Sequence, residues 1–530
     1  AIARDIFGKR VAYVPYTIPG FALAKSVADI FDKNPDVEGL VLLRHGIFTF
    51  ADDAKTAYER MIEFVTMAEQ RLATDKKPLK QAALPKSLAP VADIAPILRG
   101  RLAIARDAMA GTVKRQILDF RTSPAILNYV NGTELWRYSQ QGVVTPDHNI
   151  RTKNLPLIVP APEAGKLDQW TKDVETAVEK YIAAYHAYFA RNNARAEPKK
   201  KELDPLPRVV LVPGVGLFGV GGSAKDAAIA ADIAENTVEV ITDAEGVTSY
   251  QPISEADMFD VEYWSLEQAK LGKSAEKVLA RQVCVVTGGG SGIGAATAKA
   301  MAAEGAEVAV LDLDLDAATK VAKSIGKTAL PVQCDVTNPE NVRRAFDKVV
   351  ERFGGVDILV SNAGAAWQGN IGAVDDETLR KSFELNFFAH QSVAQNAVRV
   401  MKAQGTYGCL LFNTSKQAVN PGKDFGPYGL PKAATLFLVK QYALDHGKDG
   451  IRANAVNADR IRTGLLTDDM VAARAKARGV SESTYMSGNL LGREVYASEV
   501  AEAFVYLAHA EKTTAGVITV DGGNIEASLR

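Results

Sequence analysis

At 530 residues the chain is too long for a single hydrophobic core, and about two to four domains are expected. A composition of 47% hydrophobic and 24% charged residues is that of an ordinary globular protein, and a formal net charge of −1 gives no electrostatic drive toward nucleic acid or an anionic membrane. Three scattered cysteines, Cys284, Cys334 and Cys409, exclude a disulfide framework and a cysteine metal site and read as small core residues. No run of about 18 apolar residues marks a membrane span, and the first twenty residues lack a signal-peptide core, so a cytoplasmic protein is expected. The chain opens on alanine in the middle of what reads as a domain, which points to a fragment or a processed product.

Taken in order, residues 37–70 (VEGLVLLRHGIFTFADDAKTAYERMIEFVTMAEQ) predict a strand, a His-Gly turn at His45, a second strand and a helix. Ala54, Ala57, Met61, Ile62, Val65 and Ala68 give that helix one apolar face. Two proline-broken, charged stretches at 74–90 and 191–208 read as linkers. Between them, His148, Arg151 and Lys153 in TPDHNIRTKNLPLIVP are expected to be solvated loop charges, with anion binding as the alternative. These boundaries suggest segments 1–75, 76–207 (helical or linker), 208–277 (small α/β) and 278–530.

Two glycine loops then compete for a phosphate-binding role. The first, RVVLVPGVGLFGVGGSAKDAA at 208–228, spaces Gly214, Gly216 and Gly219 as G-x-G-x-x-G. Its only downstream support is NTVEVITD (236–243), a weak candidate strand ending in Asp243, so this loop is read as a packing turn between strand and helix. The second, VCVVTGGGSGIGAATAKAMAAEGAEVAVLDLD at 283–314, is followed by a strand that closes on Asp312, 18 residues after Gly294. An acidic residue there is placed to accept from ribose hydroxyls, while the glycines let backbone N–H groups and the helix dipole approach an anion. From 282 onward, β-branched runs (VCVVT, AEVAVLD, ALPVQCD, VDILVSN, GCLLFNTS, IRANAVN, GVITVDGG) alternate with helical patterns. That rhythm predicts an α/β fold with a doubly wound parallel sheet.

The second loop reads T-G-x-x-x-G-x-G through Thr287, Gly288, Gly292, Ile293 and Gly294, and over residues 281–526 the chain resembles the short-chain dehydrogenase/reductase family. CDV at 334–336 resembles that family's adenine-contacting acid, NAG at 362–364 the turn after its fourth strand, and VDGGN at 520–524 its closing strand. Asn386, Ser415 and the YGLPK run at 428–432 fall in the order of its catalytic set, with Ser415 13 residues before Tyr428. The resemblance implies a Rossmann-type sheet and a nicotinamide cofactor held by Gly288, Ser291, Gly292, Ile293, Gly294, Asp312, Asp335, Val336, Asn362, Ala363, Gly364, Tyr428, Lys432 and Thr463. It implies Tyr428 as acid/base, Lys432 as the cation that lowers its pKa, Ser415 as the partner of the substrate oxygen, and Asn386 as the anchor of a proton-conducting water.

Tyrosine and lysine four residues apart share a helix face. Moving a phenol from pKa ~10 to ~7 requires about 4 kcal/mol, which a cation ~4 Å away supplies at an effective dielectric near 20. Asp312, with no lysine or arginine at 289–291, favours NAD over NADP. The chain departs from the family after its sixth strand, where Ala458 and Asp459 stand in place of a Pro-Gly pair. Pro431 requires the helix to start close to Tyr428, and 464–492 is the expected substrate lid.

The N-terminal segment resembles the class II aldolase/adducin family, His45 matching its final metal histidine. None of the six histidines forms a His-x-His pair, so zinc would be held only if residues outside this chain completed the site. A partial class II aldolase α/β domain and a mixed middle region ahead of the dehydrogenase resemble bifunctional proteins that join a rhamnulose-1-phosphate aldolase to a lactaldehyde dehydrogenase. That resemblance implies a small-molecule substrate, with no nucleic acid or membrane partner, and a homo-oligomer. Metal-dependent aldol cleavage and cofactor binding without turnover are the alternatives.

Overall fold

The computed structural model describes residues 2–107, 112–145, 148–271, 275–464 and 466–524. Pro146, Asp147 and Gly272 of the joining stretches and Leu465 of the expected lid lie outside the described residues. The chain forms two compact units, one of residues 1–89, 120–220 and 226–274 and the other of 90–119, 221–225 and 275–530.

In the first unit, β1 (Val11–Val14), β2 (Gly39–Leu42) and β3 (Gly46–Thr49) make a three-stranded sheet in that order, β1 parallel and β3 antiparallel to β2. His45 lies in the β2–β3 turn, and the following helix, Ala54–Asp75, starts where the Asp53 side chain accepts from the Thr56 N–H. β4 (Ile104–Asp107) and β5 (Thr112–Lys114), which pair with each other, fall in the second unit, and β6 (Ile117–Arg121), β7 (Leu157–Ile158), β8 (Val209–Val212) and β9 (Gly216–Gly221) form a sheet in the order β6-β9-β8-β7. The segment expected to be helical or linker therefore contributes strands to the same sheet as 208–221, because β7 runs parallel to β8 across the intervening 27-residue helix Leu167–Asn193.

The first glycine loop is a hairpin rather than a strand-to-helix turn. β8 and β9 pair antiparallel from Val212↔Gly216 outward, with Gly214 at φ 82° and Gly216 at φ 147° in backbone regions open to glycine. A Cβ on Gly219 would sit 2.2 Å from the Ala227 carbonyl, so its role is close helix approach. NTVEVITD is not a strand but part of the helix Ala224–Val247. Ala227, Ala231, Ala234, Val238 and Ile241 recur every three or four residues and are all buried, so helical burial overrides the β-branched propensity of the last two.

Lys153 departs most from expectation. It is 6% exposed, at φ 62°, and its Nζ donates to the Tyr185 hydroxyl (2.7 Å) and to the buried Glu262 carboxylate (3.2 Å). Burial lowers its pKa to about 8, with Glu262 opposing. It is an internal ion pair, not a solvated charge.

The second unit carries β10 (Val283–Thr287), β11 (Glu307–Asp312), β12 (Leu330–Gln333), β13 (Ile358–Ser361), β14 (Gly408–Asn413), β15 (Ile451–Ala458) and β16 (Val517–Val520), one for each run read from the sequence. All pair in parallel in the order β12-β11-β10-β13-β14-β15-β16. Helices on both faces leave β10 and β13 wholly buried, which is why these strands are unbroken apolar runs. The chain winds outward from β10 through β12 and then crosses to β13 on the other side, so the connections leaving the carboxyl ends of the paired strands β10 and β13 run in opposite directions, where a doubly wound sheet opens its ligand crevice.

The helix Val91–Arg101 belongs to this unit and is packed against helices Pro339–Phe353 and Ala389–Gln404. From it, Arg99 (1% exposed) grips the equally buried Asp357 with both terminal nitrogens at 2.9 and 2.7 Å and donates Nε to the Gln116 carbonyl. Asp357 also accepts from the Val283 N–H, locking the start of β13 to the start of β10.

Candidate active site

The crevice is built by the turns that leave β10, β11, β13 and β14. Thr287 ends β10, and its hydroxyl accepts the N–H groups of Asn362 (2.9 Å) and Ala363 (3.2 Å). Asn362 in turn donates to the Thr287 and Gly288 carbonyls and accepts from the Asn413 amide at 2.8 Å, so one side chain ties three strand ends together. Gly288 and Gly292 have φ of 61° and 52°, and a Cβ on Gly294 would lie 2.0 Å from the Gly288 carbonyl, which accounts for the glycine spacing. Helix Gly292–Ala303 starts at Ser291 with no side-chain cap, whereas Asp314 and Asn338 cap the helices that follow β11 and β12. The uncapped first-turn N–H groups and the helix dipole therefore face the crevice for an anion.

Asp312 closes β11 with its carboxylate accepting from the N–H groups of Gly290 (2.8 Å) and Asp314 (3.1 Å). Gly288, Ser291, Gly292, Ile293, Asp312, Asp335, Val336, Asn362, Ala363, Gly364, Tyr428, Lys432 and Thr463 all line one cavity of about 390 Å³. Gly294 sits beneath it, fully within the helix packing. Asp335 turns its carboxylate onto the Thr337 N–H and hydroxyl, and Thr463 forms a short bridge with Leu466.

Helix Gly426–His446 brings Tyr428 and Lys432 to this cavity. It starts two residues before Tyr428 with Pro427 in its first turn, so Pro431 lacks only a bond that Pro427 would have accepted. Tyr428 and Lys432 are both buried and share a face, with Nζ 5.9 Å from the phenol ring centroid. Ser415, just past β14, hydrogen-bonds Tyr428 and accepts from the Gln417 N–H. Lys432 donates to the Asn413 carbonyl at 3.0 Å. The expected cation at ~4 Å is not what governs the titration: burial pushes Tyr428 up to about 12, the Ser415 hydrogen bond opposing, and burial lowers Lys432 to about 7.

Asn386 lies in a one-turn π-bulge, Glu384–Phe388. Its amide donates to the Ala365 carbonyl (2.8 Å) and the Ser382 hydroxyl (3.1 Å), its Oδ1 accepts from the Ala365 N–H, and its own carbonyl accepts from Thr435 (2.7 Å). It pins the 362–365 turn to the helix that carries Tyr428. Where the family has Pro-Gly, Asp459 accepts from Asn524 (2.8 Å) and Arg460 takes φ 52°, its guanidinium donating to the Tyr485 and Gly488 carbonyls. The expected lid folds as two helices, Asp468–Ala477 and Glu482–Met486, around Leu466, Val471, Ala475, Tyr485 and Met486.

Two site residues escape the motif reading. His390, four positions after Asn386, faces Lys432 at 3.3 Å, and Ser361 at the end of β13 holds its other ring nitrogen at 2.6 Å. The i, i+4 spacing from Asn386 was the available signal. His45 is exposed in its hairpin turn, and no group of three or more histidine, cysteine or acidic side chains that could hold a metal occurs among the described residues. These residues do not fit a zinc ion. The cysteines are buried and free, as expected, and no helix among the described residues is long and apolar enough to cross a membrane.

Together the switch-point crevice and its Ser-Tyr-Lys cluster define an oxidoreductase. A family model described as Enoyl-(Acyl carrier protein) reductase matches residues 288–524, one described as Aldolase class II, second domain, matches 89–271, and one described as Class II Aldolase and Adducin N-terminal domain matches 2–72. The chain belongs to the short-chain dehydrogenase/reductase family and carries class II aldolase domains ahead of the dehydrogenase. It is 32% identical over 543 residues to the uncharacterized oxidoreductase YuxG of Bacillus subtilis, spanning 98% of this chain and 78% of that protein. It is 32% identical over 254 residues to (+)-borneol dehydrogenase 1 of Salvia officinalis, spanning 47% of this chain and 96% of that protein. A solved structure of 3-ketoacyl-(acyl-carrier-protein) reductase from Brucella melitensis complexed with NADH is 29% identical, covers 46% of this chain and 97% of that one, and aligns with a TM-score of 0.42.

Proposed function

We propose that the chain is an NAD-dependent dehydrogenase acting on a small hydroxy-aldehyde or sugar-derived alcohol, with lactaldehyde the leading substrate and deoxy-sugar breakdown the setting. The observation that carries it is the convergence of Tyr428, hydrogen-bonded by Ser415, and Lys432 on the cavity that Asp312 and the glycine turn also line. The nicotinamide, when bound, supplies the hydride acceptor or donor. Gly288, Ser291, Gly292 and Ile293 would hold its pyrophosphate, Asp312 its adenosine ribose, and Asn362, Ala363, Gly364 and Thr463 the inner half.

Asp312 supports NAD, since its carboxylate would repel a 2′-phosphate and Lys432 is the single lysine or arginine lining the cavity among the described residues. Ser415 donates to the substrate oxygen while Tyr428 takes the proton from a hydroxyl in oxidation or returns it to a carbonyl in reduction. Lys432, held by the Asn413 carbonyl and on the same helix face as Tyr428, is the cation that would offset part of the burial penalty on the phenolate while it carries its own proton. Beside Ser415 a second cavity of about 660 Å³ is lined by Lys416, Gln417, Asn420, Arg460, Asn489 and Asn524 among others, which suits a hydroxylated substrate better than an apolar one.

Self-association in the cytoplasm belongs to the same reading. Leu430, Phe437 and Leu444 stand 48%, 68% and 76% exposed at seven-residue intervals along the catalytic helix, an apolar stripe suited to a second copy of the chain. Assaying lactaldehyde, glycolaldehyde, sugar alcohols and ketoses with both nicotinamide cofactors tests the proposal. NADH formation from lactaldehyde is the expected result, and no turnover across the panel would overturn it.

A further inference from the structure

Lys432 has three N–H donors and no acceptor. One donor goes to the Asn413 carbonyl at 3.0 Å, and the ring of His390 stands 3.3 Å away on the far side of the cavity wall. An ammonium can meet an imidazole nitrogen attractively only if that nitrogen carries a lone pair, so Nε2 must be bare and the ring proton must sit on Nδ1. Nδ1 lies 2.6 Å from the Ser361 hydroxyl, which in this form accepts a hydrogen bond from the Nδ1–H. His390 is 2% exposed and Ser361 1%, so neither bond competes with water.

We propose that His390 is a positioning residue of the dehydrogenase site: held by Ser361 in its Nδ1–H form, it accepts a hydrogen bond from Lys432 and thereby aims and stabilises the ammonium that serves Tyr428. The inference rests on the dehydrogenase reading and adds to it a residue that the Asn-Ser-Tyr-Lys set does not contain. With two donors committed, one to Asn413 and one to His390, the third N–H of Lys432 is left for the cavity.

The groups that face Lys432 are Tyr428 on its own helix, with Ser415 bonded to it, His390 on the helix Ala389–Gln404, Ser361 through His390, the Asn413 carbonyl at the end of β14, and Asn386 in the bulge. No carboxylate contributes to its titration, so burial alone lowers it to about 7. In that setting an acceptor for the ammonium is what keeps a positive charge available near neutral pH. His390 is itself held neutral by burial and by Lys432, and so remains an acceptor where Lys432 is charged.

Two measurements on the full chain decide the matter. In nitrogen-15 spectra of histidine-labelled protein, the His390 ring, identified by its loss in His390→Gln, should show the neutral Nδ1–H form from pH 6 to 9. Its Nε2 resonance should move as Lys432 titrates and cease to move in Lys432→Met. This readout needs no substrate, so it stands even if the proposed activity fails. An Nε2–H form, or an Nε2 resonance indifferent to Lys432→Met, would overturn the inference while leaving the dehydrogenase reading intact. In the pH profile of kcat/KM, His390→Leu should move the limb set by Lys432 down by roughly one to two pH units. His390→Gln, which keeps an acceptor near the Nε2 position, should restore most of that shift. Equal profiles for the two variants would contradict the role even if both lower the rate.

Discussion

Asp312→Asn removes one negative charge from the end of β11 and keeps the shape of the side chain. Two like charges ~4 Å apart repel by about 4 kcal/mol at an effective dielectric of 20 and by about 1 kcal/mol in water. Asp312 is half-buried, so its penalty against a 2′-phosphate falls between these, near ~2 kcal/mol, or roughly thirtyfold in relative affinity. The carboxylate also accepts from the Gly290 and Asp314 N–H groups, and an amide can replace only one of those bonds cleanly, at a cost of about 1 kcal/mol. That cost falls on NAD and NADP alike and cancels in their ratio. The assay is kcat/KM for both cofactors with one substrate, in the wild type and in Asp312→Asn. The ratio of NADP to NAD should rise by about tenfold to a hundredfold. A wild type that prefers NADP, or an unchanged ratio, would refute the assignment of Asp312 to the adenosine ribose.

Arg99→Met should lower stability by about 3 kcal/mol, because it leaves Asp357 buried with Arg115 as its remaining close cation, and calorimetry should show Tm falling by roughly 5–10 °C. Asp357 is held below its ordinary pKa by Arg99 and Arg115 against burial, so its contribution is present above the unfolded value of about 4 and is lost as pH falls through the folded one. The variant's deficit should accordingly shrink in acid. With Lys432 near 7 and Tyr428 near 12, the pair holds one proton between these values. Reduction draws on the Tyr428 proton with Lys432 as an ammonium and should fall as pH rises through about 7, where Lys432 loses its charge; a reduction rate that stays level through that pH would contradict the assignment. Phe437→Glu with Leu444→Glu should shift the chain to a smaller species in light scattering, while an unchanged mass would remove that helix face from the interface.

The dehydrogenase half was legible because its information is local. Strands such as VCVVT and DILVS are buried on both faces, so each is an unbroken apolar run; the glycine turn is contained within residues 287–294, and Ser415, Tyr428 and Lys432 fall within one short stretch, 415–432. What was hidden depends on contacts between distant segments. His390 acquires a role only when β13 and the catalytic helix deliver Ser361 and Lys432 to its two nitrogens, although alone in sequence it is one isolated histidine. Lys153 looks like a loop cation until Glu262 and Tyr185, far along the chain, enclose it. NTVEVITD has the residues of a strand, and only burial against Val209 and Leu211 of the neighbouring sheet selects the helix.

The central claim is that the Tyr428 hydroxyl moves the proton that accompanies hydride transfer. Tyr428→Phe removes that oxygen and leaves the ring, and the measurement is single-turnover NADH formation alongside the fluorescence titration of NADH binding. Turnover should drop by about a hundredfold or more while the cofactor Kd changes by less than about threefold. Wild-type turnover in a variant that binds NADH normally would show that the reaction runs through another group.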